Sequence, residues 1–94
     1  MTATDQPPPP PPKKWSRWIR FDQVAPDKNR FREYGITLDQ NLIGEWVVSC
    51  GWGRIGGPKR VKEWYFSSKS EAMVMAERIV HRRLLRGYRV SAFE

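Results

Sequence analysis

The sequence is poor in the residues from which most active sites are built. Among its 94 residues there is one cysteine, Cys50, and one histidine, His81. A single cysteine cannot close an intrachain disulfide and suits a reducing setting, so the chain is expected in the cytosol. A single histidine excludes the multi-His and Cys-His zinc sites that one chain could otherwise assemble. The 10 acidic residues are scattered singly, without paired carboxylates for general acid–base work. No apolar run approaches the ~20 residues of a membrane span, and the N-terminus has no apolar stretch like that of a signal peptide. Neither a cofactor nor a catalytic role is expected.

What the chain does have is positive charge. It carries 17 lysines and arginines, a formal net charge of +7. A small basic domain favours polyanionic partners, with nucleic acid ahead of an anionic membrane surface. The length allows one domain with a modest core, expected as a monomer. Residues 1–14 form a separate segment, in which Pro7 to Pro12 is unbroken and Lys13 and Lys14 follow. Proline fixes φ and removes a backbone donor, so this segment reads as a disordered, extended proline-rich tail. It also fits the loose pattern of a peptide recognised by aromatic grooves.

The folded part, residues 15–94, begins with two-residue alternation. Trp15 to Phe21 mixes aromatics and cations as a first strand, and Ala25 to Asn29 has turn composition. In the next strand, Phe31 to Leu38, one face holds Arg32, Tyr34, Ile36 and Leu38. Glu45 to Ile55 is a third strand, with Trp46, Val48, Cys50 and Trp52 on one side. Gly56 to Lys59 is a connection of hairpin length, and Val61 to Phe66 a fourth strand. The period then changes from two to 3.6. Ser68 and Glu71 make a capping box, and Ala72, Ala76, Ile79, Val80 and Leu84 form one apolar stripe, widened by Met73, Met75 and Val74. Arg78, Arg82, Arg83 and Arg86 crowd the last turns, where cations complement the helix dipole, and Gly87 ends the helix. Tyr88 to Phe93 can return as a short strand. The pattern predicts an α+β fold: an antiparallel meander of four or five strands around one C-terminal helix.

Two glycine and nucleophile patterns deserve a physical test. Gly51-Trp52-Gly53-Arg54-Ile55-Gly56 matches the spacing of a dinucleotide-binding loop. That loop works only where it ends a strand and opens a helix, and here Pro58 and another strand follow. A Cys50–His81 nucleophile pair is conceivable, but Cys50 lies among apolar strand residues where a buried thiol is usual. The binding reading has more behind it. Cations for phosphate and flat side chains for bases or sugars occur together as Trp52, Arg54, Lys59, Arg60 and Lys62. Gly51 and Gly53 flank Trp52 and leave room for a partner to approach. Trp52 can equally be a core aromatic and Arg54 a solvated strand residue.

Trp52-Gly53-Arg54-Ile55-Gly56 resembles the signature of the WGR domain, named for its Trp-Gly-Arg core. The resemblance runs from about Trp18 to Tyr88. It takes in Asn29 to Tyr34, Glu45-Trp46, Val61-Lys62, Phe66, Glu71-Ala72 and the basic Arg83 to Tyr88 end. It implies antiparallel strands wrapped around one helix. In poly(ADP-ribose) polymerases the domain binds DNA near a strand break, and the residues matching Trp52 and Arg54 engage it close to a 5′ end. A basic residue late in the helix approaches phosphate there, matching Arg83, and Asn29 matches a further contact. The sequence departs from the family at Lys59, where glycine is usual, and at Arg83, where lysine is commoner. No catalytic domain or zinc finger is among these residues, so ADP-ribosylation is not implied. The expectation is a nucleic-acid-binding module, DNA first and with ends, nicks or breaks preferred. Its site residues are Trp52, Gly53, Arg54, Lys59, Arg60, Lys62, Arg83 and Asn29. The alternative is a protein-interaction module using the same Trp and Arg surface.

Overall fold

The computed structural model describes residues 17–94. The proline-rich tail and Trp15 lie outside the described residues. The chain runs β1 (Trp18–Ala25), a short 3-10 turn (Pro26–Lys28), β2 (Arg30–Gln40), β3 (Trp46–Arg54), β4 (Lys59–Phe66), α1 (Lys69–Leu85) and β5 (Arg89–Phe93). All five strands form one antiparallel sheet in the order β4-β3-β2-β1-β5. This is the α+β architecture expected, with one C-terminal helix.

Strands β1 to β4 are the predicted meander, but the fifth strand does not extend it beside β4. It pairs with β1 at the opposite edge. The helix makes that possible: its 17 residues span roughly 25 Å at 1.5 Å each, enough to recross a five-stranded sheet. The first strand also runs on past Phe21, where its aromatic–cation alternation ends. Pairing from Trp18 opposite Thr37 to Ala25 opposite Arg30 carries it up to the turn. Ladder hydrogen bonds, invisible in composition, decide such boundaries. Asn29 closes the turn at φ 49°, a left-handed conformation that asparagine tolerates better than most side chains.

The core is a register of directly opposed side chains. Ile19 faces Ile36, Ile36 faces Cys50, Phe21 faces Tyr34 and Leu38 faces Val48, all buried. Against this layer α1 sets Ala72, Ala76, Ile79, Val80 and Leu84, with Met73 and Met75 partly buried beside them, whereas Val74, read from the sequence into the same stripe, points to solvent. The two alanines let the helix approach the sheet closely, while Trp46, Trp64, Phe66 and Met75 close the rim. Fully burying an aliphatic or aromatic side chain stabilises by about 1.5–3 kcal/mol, so this layer is the main source of stability. The other face of the sheet is covered by no described element. Its rows, by the same register, include Gly35 beside Gly51 and Glu33 beside Gly53.

Candidate functional site

The helix ends in a Schellman arrangement, and that ending builds one wall of a cleft. Tyr88 N–H donates to the Arg83 carbonyl at 3.0 Å and Gly87 N–H to the Leu84 carbonyl at 3.1 Å. Gly87 adopts φ +86°, which a residue with a Cβ resists. The reversal folds Tyr88 back over the last turn. There the Arg83 guanidinium lies 5.5 Å from the Tyr88 ring centre and 4.5 Å from that of Tyr34. The Nε of Arg83 is buried without a hydrogen-bond partner, so its polar capacity is unspent.

The opposite wall comes from the end of β3 and the start of β2. Trp52 stacks on Tyr34 with ring centres 5.8 Å apart and planes 15° from parallel, and stays half-buried. Arg54 is exposed, its guanidinium 5.0 Å from the Phe31 ring centre. It donates to the Asn29 carbonyl and side-chain oxygen at 3.5 and 3.4 Å, long contacts that orient without consuming it. Between the walls is an open cleft of about 510 Å³. Six cations line it (Lys28, Arg30, Arg32, Arg54, Arg83 and Arg86), together with Trp52, Tyr88 and Asn29, and no carboxylate does.

Of the expected site residues, Trp52, Gly53, Arg54, Asn29 and Arg83 thus meet at one cleft. Arg60 pairs directly with Trp52 and shares its side of the sheet; Lys62 pairs with Cys50 on that same side, its ammonium 5.2 Å from the Trp64 ring centre. Lys59 stands apart. It pairs with Gly53 and so faces the other way. Its ammonium donates to the Arg54 and Gly57 carbonyls at 2.9 and 2.6 Å and pairs with Glu33 at 3.2 Å. The side chain ties down the β3–β4 turn. Sequence proximity grouped it with Trp52 because composition does not register which face a strand residue takes.

The glycines need a different explanation from the one their spacing suggests. Alternation places Gly51 and Gly53 on the face opposite Trp52. A Cβ on Gly53 would collide with the Pro58 carbonyl oxygen, so this glycine admits the neighbouring strand rather than a partner. The six-residue glycine pattern lies in β3 and its turn, with β4 following, which excludes the dinucleotide-loop geometry. The Cys50–His81 pair does not form either: His81 is exposed, whereas Cys50 is buried beside the Tyr34 hydroxyl. Burial pushes both the Cys50 thiol and the Tyr34 phenol up, keeping both neutral beside Arg83.

Sequence reading missed Lys28, Arg30, Arg32 and Arg86 as site residues. Arg86 reads from the sequence as a partner of the helix dipole and Arg32 as a strand residue on the Tyr34 face, while Lys28 and Arg30 fall on a turn and a strand end whose direction only the fold fixes. Among the described residues no cluster of His, Cys, Asp and Glu could hold a metal, and no helix is long and apolar enough to cross a membrane.

Comparison with known proteins gives the site its context. The uncharacterized protein y4dW of Sinorhizobium fredii (strain NBRC 101917 / NGR234) is 26% identical over 68 residues, 72% of this chain. The match covers 33% of that protein, so the chain spans about a third of its relative's length. No solved structure gives a significant match. The family model described as WGR domain matches residues 15–94. The chain therefore belongs to the WGR domain family, a family of nucleic-acid-binding modules rather than catalytic ones.

Proposed function

We propose that this protein binds DNA, preferring ends, nicks or breaks, through the cleft between the end of β3 and the end of α1. The observation that carries this reading is the convergence of six cations without a carboxylate around a stacked aromatic pair. Cations supply sequence-independent attraction to phosphate, and a half-exposed indole supplies a surface for a sugar or an unstacked base. A continuous duplex buries its base faces in the stack, whereas a strand end leaves one free. An open cleft with Trp52 at its wall therefore fits a terminus better than uninterrupted helix.

Arg54 is the intended phosphate contact, because its guanidinium is exposed and aimed by Asn29. Arg83, held between two aromatic rings with an unpaired Nε, is the second. Arg30, Arg32 and Arg86 add to the field.

Gel shifts with nicked, blunt and single-stranded oligonucleotides at ~50 and ~200 mM salt test this. Arg54→Ala is expected to weaken binding about tenfold or more, since a charged hydrogen bond contributes about 1.5–3 kcal/mol. Lys59→Ala, removing a side chain on the opposite face, should change affinity by less than about twofold. Unchanged binding by Arg54→Ala at matched salt would rule the cleft out. A shallow salt response would instead favour docking of a protein on the same surface.

A further inference from the structure

A second groove lies beside α1, and it shares the Arg83 side chain with the main cleft. It measures about 190 Å³ and is lined by Tyr34, Trp64, Met75, Arg78, Arg82 and Arg83, among others. Arg83 lines both hollows, and Tyr34, which floors the groove, is the residue on which Trp52 of the main cleft stacks. The two hollows thus adjoin at Arg83 and at the Tyr34–Trp52 stack.

Two rows of cations follow this surface. On β4 the residues sharing the helix-covered side are Arg60 opposite Trp52, Lys62 opposite Cys50 and Trp64 opposite Val48. The row thus leads from the main cleft to the groove. On α1, Arg78 and Arg82 are one turn apart, so they lie on the same side of the helix, beside Arg83. Both are exposed, and among the described residues neither is in an ion pair. No carboxylate lines the groove. Glu63, the nearest acid in sequence on β4, faces the other side and accepts a hydrogen bond from Ser49.

We propose that this groove is a second nucleic-acid subsite, taking a single-stranded extension that continues from the strand end held in the main cleft. The proposal rests on the main-cleft reading for where the strand begins. The groove's own chemistry decides what it takes. It is less than half the size of the main cleft, and its flat elements are the buried Tyr34 and the half-buried Trp64, over whose ring the Lys62 ammonium lies at 5.2 Å. A duplex presents only phosphates and groove edges to such a surface, leaving the indole unused. An unpaired nucleotide can draw the exposed Lys62 ammonium off the Trp64 ring onto its phosphate and stack its base there, with its phosphates between the two rows, the usual arrangement for single strands.

Fluorescence anisotropy separates the possibilities. The probes are a labelled blunt duplex and the same duplex carrying a single-stranded extension of about four nucleotides. Wild type should bind the extended probe about fivefold tighter or more, the order expected for one added base-stacking contact. The double variant Arg78→Ala, Arg82→Ala changes two exposed side chains. It should erase that gain, leave blunt-duplex affinity within about twofold, and reduce the salt slope on the extended probe by about 1.4. Equal wild-type affinity for the two probes would overturn the proposal. So would an equal loss on both probes in the double variant, because the arginines would then act only as general field. Arg54→Ala reports on the main cleft separately: it should weaken both probes alike. If it weakens neither while the extension gain and its loss in the double variant persist, the main-cleft reading fails and the groove stands.

Discussion

Gly51 and Gly53 look equivalent in the chain, one on each side of Trp52, yet their surroundings differ. A Cβ on Gly51 would sit 3.8 Å from the Arg60 carbonyl oxygen, an ordinary contact, whereas on Gly53 it would overlap the Pro58 carbonyl. Forcing a methyl against backbone that cannot withdraw costs about 1–3 kcal/mol. Gly53→Ala should therefore lower the urea-unfolding free energy by about that amount, while Gly51→Ala stays within about 1 kcal/mol of wild type. The opposite order would mean that the Pro58 approach does not set the requirement. In the Trp-Gly-Arg run, Trp52 and Arg54 thus serve the cleft, and Gly53 serves the hairpin that presents them.

At the scale of the element, the two ends of α1 have different jobs. At its start Ser68 accepts the Glu71 N–H at 3.3 Å and donates to the Glu71 carboxylate at 2.9 Å. This cap stabilises the helix by about 1 kcal/mol and touches nothing in the cleft. At its end Gly87 turns the chain so that Tyr88 packs on Arg83, and the Arg86 carbonyl accepts from the Gln23 amide at 2.8 Å. Gly87→Ala puts a Cβ into a left-handed conformation, costing about 1–2 kcal/mol, and brings it to 3.1 Å from the Gln23 amide nitrogen. Both Ser68→Ala and Gly87→Ala should lower thermal stability. Only Gly87→Ala should also weaken nucleic-acid binding when affinity is measured well below the melting temperature. Equal binding by the two variants would show that the turn's geometry does not position Arg83.

Over the whole molecule, one face of the sheet is buried under α1 and carries the cleft at its edge, while the other holds the tie between Lys59 and Glu33. Beneath the cleft the buried thiol of Cys50 and phenol of Tyr34 both titrate above their ordinary values of 9.0 and 10.0, chiefly through burial. The unfolded chain therefore releases these protons at lower pH than the folded one. Their neutral burial is fully available below about pH 9, and stability falls as pH rises beyond it. Urea midpoints should be level between about pH 7 and 8 and decline from about pH 9 upward. A midpoint that holds steady or climbs over that range would contradict the neutral, buried pair.

Much of this architecture was legible in the chain. Period-two alternation placed β2 and β3 on their correct faces, and period 3.6 picked out the five buried residues of α1, because side-chain direction follows directly from backbone repeat. The capping box and Gly87 marked the helix ends for equally local reasons. The Trp-Gly-Arg run and the charge balance pointed to nucleic acid. Pairing partners were not legible, since they depend on where distant segments meet. Tertiary structure alone moved β5 to the β1 edge, turned Lys59 away from Trp52, and carried Arg86 and the turn cations to the cleft. Sequence determined which side chains each element offers to each face; only the meeting of β2, β3 and the end of α1 decided which of them form one site.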